Sequence, residues 1–231
     1  MHKKQSNTHY FMKIKKSLAI ILGLVLALPM CAQRDPFKQG KSISLFIGGQ
    51  SRTETAINKE ISSKFNMGLQ TNFAQIKLHK GVIADMLCVR FDIGLDLNYA
   101  YYKRLQDTSN PHNDKIDWNP HQAEIGVDLG PSVYVAPFED VRELQFMAFY
   151  HFIPSASAHI EDTNVYAAFC PMMNFGLGVN WKFIGIGYEH RWGSAKYKTY
   201  DIEDAAEGAH DTGEKTKFKT TADRFYIRFN F

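Results

Sequence analysis

The sequence predicts an all-β fold: an eight-stranded antiparallel up-and-down transmembrane β-barrel preceded by a cleaved N-terminal signal peptide. Apolar and polar residues alternate over long stretches, the alternation recurs in eight segments, and the polar face carries glycines and charges of both signs. Successive side chains of a strand point to opposite faces, so each segment has an apolar and a polar face. A tilted membrane strand needs about 9–11 residues, whereas a strand in a soluble protein averages about 5–6.

The first 32 residues are predicted to be an N-terminal extension and a signal peptide. A short basic stretch follows Met12, an apolar run extends over 18–28, and Ala32 provides a small residue at the expected cleavage site. This order of charge, apolar run and small residue is typical of a secretory signal. The run is shorter than the roughly 20 residues of a membrane-spanning helix. Translation could begin at Met1 or Met12, and Cys31 offers a lipoprotein alternative that the methionine before it disfavours.

The net charge changes once this segment is removed. The chain carries 27 basic and 24 acidic residues, a net charge of +3, and five of the lysines lie in residues 1–32, which hold no acid. The remaining 22 basic and 24 acidic residues give −2. We therefore expect no nucleic-acid partner. The chain after the signal peptide is expected to consist of a periplasmic lead-in over 33–40 and a barrel over 41–231.

The first four strands follow from apolar residues at every second position. Strand one, over 43–47, alternates with serines, and strand two, over 65–73, alternates with asparagine, glycine and glutamine. Strand three, over 87–102, is the clearest, because every odd position from Leu87 to Tyr101 is apolar or aromatic. Strand four covers 123–135. Pro131 within it predicts a bulge or an early end, since proline has no N–H to donate.

The last four strands repeat the pattern. Strands five and six cover 144–152 and 173–181, and strands seven and eight cover 184–192 and 225–231. The even total matches single-chain bacterial membrane barrels. A sheet in lipid must close, because an open edge would leave backbone groups without partners.

The polar face is predicted to fill the lumen of the barrel. An eight-stranded barrel is just wide enough for side chains to fill it, and buried charges must be paired. We expect a lumen charge network of Arg90, Asp92, Asp96, Glu124, Asp128, Glu189, Arg191 and Arg228. Its main interpretation is structural, and the alternative is a proton or ion path. In a second alternative, a soluble exported lipocalin-like barrel binds a ligand on an inward apolar face, although its outer face would then be unusually rich in glycine.

Connection lengths predict the orientation. Membrane barrels have short periplasmic turns and longer extracellular loops, and both termini are then periplasmic. The connections after strands one, three, five and seven are expected to be long, at 50–63, 103–120, 154–164 and 194–217. Those after strands four and six are short, at 136–142 and 181–182. Residues 74–85 are too long for a turn, so part of them is expected to extend the neighbouring strands. An extracellular partner would contact loops 103–120 and 194–217.

The C-terminus carries a family resemblance. Alternating aromatic residues that end on a terminal phenylalanine resemble the assembly signal of Gram-negative outer-membrane proteins, with Phe225, Phe229 and Phe231 at the matching positions. The resemblance implies that the barrel-assembly machinery reads this strand, and that outer-membrane lipid and lipopolysaccharide surround the barrel. Cys-Ala-Gln33 resembles the signal end of exported proteins of Bacteroidetes. The chain is thus similar to the small OmpA/OmpX-like barrels of the outer-membrane, porin-type families, which implies an outer-membrane location.

A looser similarity connects the two ends of the chain with another family. Gln33-Arg34, Pro36, Gln39-Gly40 and the closing Arg228-Phe-Asn-Phe231 resemble the TraO proteins of Bacteroidetes conjugative transposons. The middle of the chain has no such similarity. A conjugative-transfer component of the outer membrane is therefore an alternative function.

Catalytic, cofactor and metal sites are all expected to be absent. Some eight-stranded barrels are lipid A enzymes, and the lipid A deacylases use a His-x-Ser pair. In this sequence Trp192 stands at the serine position after His190, and Ser194 comes two residues later. Four residues of strand separate two side chains by about 13 Å, far beyond hydrogen-bond reach. His159, Glu161 and Asp162 offer weak metal ligands without the spacing of a zinc site. We predict a non-enzymatic protein that maintains the envelope or binds a surface partner, with a lipid A-modifying enzyme as an alternative.

Overall fold

The computed structural model describes residues 41–80, 86–102, 120–161, 164–201 and 210–231. The expected signal peptide over 1–32 and lead-in over 33–40 lie outside the described residues. Within the described part of the chain, no helix has the length and apolar character needed to cross a membrane.

Eight strands make up nearly all of the described chain. A single turn of 3-10 helix, Glu139–Val141, interrupts them between the fourth and fifth strands. The strands are β1 (Ser42–Glu54), β2 (Lys59–Lys80), β3 (Leu87–Tyr102), β4 (His121–Val135), β5 (Leu144–Glu161), β6 (Asn164–Trp181), β7 (Ile184–Asp201) and β8 (His210–Asn230).

The strands form one closed barrel in sequence order. Each pairs antiparallel with its neighbour, and β1 pairs with β8 from Ser42–Asn230 to Glu54–Phe218, which leaves no open edge. The predicted eight-stranded up-and-down barrel is confirmed. We call the end of the barrel that contains Glu54, Tyr102 and Glu161 the upper end.

Two connections at the upper end are shorter than predicted. β1 continues to Glu54 and β2 begins at Lys59, so the long loop predicted over 50–63 is wrong. A four-residue turn replaces it, with Asn58 in the left-handed region at φ 50°. The loop predicted over 154–164 is also wrong, because only residues 162 and 163 separate β5 from β6. Pairing continues in these regions although the strong apolar alternation has ended.

The remaining connections agree with the predictions only in part. β2 extends to Lys80, as expected for part of 74–85, and residues 103–119 lie outside the described residues. The loop predicted over 194–217 is wrong over most of its length, because β7 continues to Asp201 and β8 begins at His210. Only residues 202–209, which also lie outside the described residues, remain between the two strands. The lower turn between β6 and β7 is tight, with Lys182 at φ 54°.

The bulge or early strand end predicted at Pro131 does not occur. The register of β4 with β3 runs without a shift from Leu87–Val135 to Tyr101–His121 and passes through Phe91–Pro131. Proline lacks a donor on only one edge of a strand. The interruption is on the β5 side, where no pairs form between Leu129 and Ser132.

Burial is inverted relative to a water-soluble protein. On the outward face, large apolar side chains are exposed, including Phe225 at 66% and Ile186 at 62%. On the lumen face, Arg191 and Arg224 are fully buried. An outward apolar band around a polar interior is the arrangement of transmembrane barrels.

Candidate functional site

The lumen charges lie on alternate positions of four strands. β3 contributes Arg90, Asp92 and Asp96, β4 and β7 contribute two charges each, and β8 contributes Arg228. The structure places all eight charges on the lumen face, with exposures of 4% or less. The alternation of the strands therefore positions them, while the barrel determines their partners.

The centre of the lumen holds a compact ion-pair group. Arg191 lies between two carboxylates, with Nη1 2.5 Å from Asp96 Oδ1 and Nη2 2.7 Å from Glu124 Oε2. Arg224 donates from Nε to Glu189 Oε1 at 2.6 Å and also contacts Asp96. Two arginines and three carboxylates from β3, β4, β7 and β8 are thus tied together in the lumen.

A second polar group lies below the first. His151 Nδ1 lies 3.0 Å from Asp128 Oδ2, and His151 Nε2 is 3.7 Å from Asp92 Oδ2. Gln70 from β2 donates to Asp128 as well. His151 therefore lies between the two predicted carboxylates and is hydrogen-bonded to Asp128.

The two remaining predicted arginines contact aromatic rings. Arg90 lies over the Tyr134 ring at 4.5 Å, and its Nη1 donates to Gln75 at 2.9 Å. Arg228 lies 5.3 Å from the Tyr226 ring centroid and donates to Ser44 at 3.0 Å. Ring faces attract cations, so these arginines are held partly by cation–π contacts.

Arg224, His151 and Arg52 were missed at the sequence level. Arg224 precedes the aromatic residues that defined the last strand, and His151 alternates with exposed Tyr150 and Phe152. Both would be found by extending the inner-face alternation. Arg52 lies in a stretch predicted to be a loop.

Two apolar layers of buried side chains pack against the charges in the lumen. The lower layer consists of Phe46, Cys88, Tyr134, Ala136, Met147, Phe149 and Tyr226. The upper layer consists of Ile153, Cys170, Met172, Ala195, Tyr197 and Phe218. Cys88 and Cys170 are free thiols in different layers. A filled lumen of this kind favours a structural role for the charges.

Glycines make room for the lower layer. Gly178 of β6 and Gly187 of β7 are paired partners beneath Tyr226, and a Cβ on either would overlap the Tyr226 hydroxyl. Gly176 has the same relation to the Phe149 ring. These close approaches explain why glycine is frequent on the inner face.

Gly178→Val is expected to lower the free energy of unfolding by about 1–3 kcal/mol, because overpacking a filled interior forces side chains out of position. Urea unfolding of the barrel in lipid vesicles measures this. Gly49→Val is the matched control, since nothing lies within 4 Å of a Cβ at Gly49. An equal effect at both positions would contradict the packing explanation.

The upper mouth holds an ion pair beside a small cavity. Glu161 Oε2 lies 3.2 Å from Arg52 Nη2 and 3.1 Å from His159 Nε2. The Arg52 guanidinium stacks over Phe218 at 4.4 Å. Arg52, Glu161 and Phe218 are among the residues that line a cavity of about 130 Å³. His159 and Glu161 are strand residues here, and Asp162 lies outside the described residues.

These contacts change both acidities. The hydrogen bond from His159, aided by Arg52, lowers the pKa of Glu161 to about 2. Burial lowers the pKa of His159 to about 4. Among the described residues no group of three or more metal-ligating side chains occurs.

Acidification is expected to weaken the upper mouth. Between pH 6.5 and 4 the unfolded chain binds a proton at His159 that the folded protein does not. The free energy of unfolding therefore decreases as the pH is lowered. The loss is about 2 kcal/mol from pH 6.5 to 5. Urea unfolding at both pH values tests this, with His159→Gln as the variant whose stability should change less. Below about pH 4.5, Glu161 adds a loss of the same sign. Equal pH dependence in the two proteins would exclude His159 as the cause.

A polar trio faces outward on β7 and β8. His190 Nδ1 lies 2.8 Å from Asp223 Oδ1, and Tyr188 donates to the same oxygen. The His190 ring stacks on Trp192 with centroids 5.4 Å apart. Ser194 lies four residues further along β7, about 13 Å away, so it does not complete a catalytic group with His190. In the described part of the chain no hydroxyl is bonded to this histidine.

Comparisons with known proteins found similar solved structures but no matching protein family or curated sequence. No protein-family profile and no curated protein matches the chain. The chain is similar to the solved Neisserial surface protein A, at 10% identity and a TM-score of 0.45, covering 83% of this chain and 97% of that one. It is similar to Ail, the attachment invasion locus protein of Yersinia pestis, at 11% identity, 83% and 99% coverage and a TM-score of 0.38. Outer membrane protease OmpT from Escherichia coli gives 6% identity, 83% and 96% coverage and 0.46.

Proposed function

We propose that this protein is a non-enzymatic outer-membrane β-barrel that maintains the envelope or binds a surface partner through its extracellular loops. The observation that carries the proposal is the inverted burial, with exposed Phe225, Ile186 and Leu177 around fully buried Arg191 and Arg224. Large outward apolar side chains around a polar interior are the arrangement of a barrel whose wall is covered by lipid.

The filled lumen supports a structural role for the inner charges. An ion or proton path would have to pass the apolar side chains packed in the lumen, among them Phe149 and Ile153. A soluble ligand-binding barrel would need an open apolar interior, whereas this lumen holds ion pairs. We therefore propose that a surface partner binds at the upper end, through loop 103–120 and through 202–209, the part of the predicted loop 194–217 that lies between the strands.

Export and assembly partners follow from the ends of the chain. The predicted signal peptide would direct the protein across the inner membrane. Phe225, Phe229 and Phe231 would be read by the barrel-assembly machinery, as the family resemblance implies. The conjugative-transfer alternative shares this location and differs only in the partner.

Cell fractionation combined with gel mobility tests the proposal. The protein should be recovered with the outer membrane, and the folded barrel should migrate differently in detergent gels before and after boiling. Recovery in the soluble periplasmic fraction would overturn the proposal. Deletion of residues 13–32 is the matched control, since it removes the predicted export signal and should leave the protein inside the cell.

The outward trio favours a second candidate, an enzyme that modifies membrane lipid. Asp223 orients His190 as an acid orients a general base, and the pair faces outward close to Trp192. Mass analysis of lipid A from cells that produce the wild-type protein or His190→Gln decides this candidate. Identical acyl patterns in both, and in cells that lack the gene, would exclude it.

A further inference from the structure

Five lysines lie together on the outward face of β7 and β8. On β7, Lys196 and Lys198 follow the aromatic residues Tyr188 and Trp192 toward the upper end. On β8 the same side carries three more. We call Lys196, Lys198, Lys215, Lys217 and Lys219 the lysine cluster; all five are exposed. They lie above the apolar band that Ile186 and Phe225 mark on these strands.

The register brings like charges face to face. Lys196 is the cross-strand partner of Lys217. Like charges directly opposite each other in a sheet are destabilising. Among the described residues, no acidic side chain forms an ion pair with Lys196, Lys215, Lys217 or Lys219. An anion bound between the strands would relieve this repulsion.

An apolar groove adjoins the lysine cluster. Its volume is about 860 Å³, and Lys196 and Lys198 form one edge of it. Small outward side chains form its floor, namely Ala123, Ala156, Ala158 and Ala167. Phe169 and Ile125 continue the apolar surface. A shallow alanine floor next to positive charge fits a molecule with a flexible apolar part and an anionic group.

A second recess on the outward wall provides a comparison. It has a volume of about 940 Å³, and its lining includes Leu45, Leu177, Ile186 and Ile227, with no charged residue. Ordinary acyl chains suffice to cover such a surface. Positive charge therefore belongs to the upper groove and not to outward grooves of this barrel in general.

We propose that the alanine groove and the lysine cluster together bind the phosphorylated lipid of the outer leaflet, lipopolysaccharide. An acyl chain lies along Ala156, Ala158 and Ala167, and a phosphate lies between Lys196 and Lys217. Lysine binds phosphate as a compact charge, and its long apolar stem can reach along the wall to a headgroup. This inference rests on the proposed outer-membrane location.

Binding of lipid A to the folded protein in neutral detergent micelles tests the site. The wild-type protein should prefer lipid A with both phosphates over dephosphorylated lipid A. Lys196→Gln/Lys217→Gln should weaken binding of the phosphorylated form by at least about tenfold, because each basic residue near an anionic lipid surface contributes. Lys41→Gln/Lys182→Gln removes the same charge from exposed residues at the lower end and should bind normally.

A third variant tests the groove. Ala158→Trp fills the floor from the outward side and should weaken binding of both forms of lipid A. Boiling-dependent gel mobility verifies that each variant is folded. Equal binding of the two lipids by the wild type, or equal losses in the two lysine variants, would overturn the lipid site. If the protein is nevertheless recovered with the outer membrane, the proposed function stands and only this inference fails.

Discussion

Arg191→Met is expected to lower the free energy of unfolding of the barrel by about 3–5 kcal/mol, because it leaves buried carboxylates without a cation. Asp96 and Glu124 each contact Arg191, and all three side chains are fully buried. Methionine has a similar length, so lost volume contributes little. Urea-induced unfolding in lipid vesicles at pH 7 measures the change.

The matched control neutralises the acids as well. Asp96→Asn/Glu124→Gln/Arg191→Met neutralises Arg191 together with its two carboxylate partners, keeps their shape and leaves the Arg224–Glu189 pair, so it should be more stable than Arg191→Met alone. Replacing a whole buried ion group by neutral residues is often close to neutral in stability. If the triple variant is no more stable than the single one, Arg191 does not act through these carboxylates.

The sequence predicts a strand best where its two faces meet different surroundings, lipid on one side and the polar lumen on the other. Along β3, odd positions from Leu87 to Tyr101 face lipid and even positions face the lumen, so alternation predicts the whole strand. Towards the upper end the outward residues become small or polar, as Ala156 and Ala158 of β5 do, so the two faces differ less. The upper ends of β1, β2 and β5 therefore carry weaker alternation, and their predicted loops over 50–63 and 154–164 proved to be paired strands.

The partners within the lumen depend on how the barrel closes. Alternation indicates that Asp96 of β3 and Arg191 of β7 share the inner face, but it does not indicate that they meet. Three strands, β4 to β6, lie between them in sequence order, and their contact crosses the lumen. Which residues meet depends on the strand stagger. His190 and Asp223, in contrast, are register partners on adjacent strands and follow from pairing alone.

Leu177→Arg is expected to destabilise the barrel by about 2–4 kcal/mol in lipid vesicles, because a charge near the middle of the bilayer loses its hydration. Leu177 is 51% exposed on the outward face of β6, between Phe175 and Val179. In a water-soluble barrel the same substitution would place a charge in water and change stability little. The substitution therefore separates the two environments directly.

Ser194→Arg is the depth-matched control for this measurement. Ser194 is an exposed outward residue of β7 above Trp192, where a charge near the interface changes stability by only about 0–1 kcal/mol. Its strand partner Lys219 adds a like-charge cost of at most about 1 kcal/mol. Urea unfolding in vesicles should therefore show a clearly larger loss of stability for Leu177→Arg than for Ser194→Arg. If Leu177→Arg were as mild as Ser194→Arg, the outward apolar face would not be in contact with hydrocarbon, and the membrane assignment would be lost.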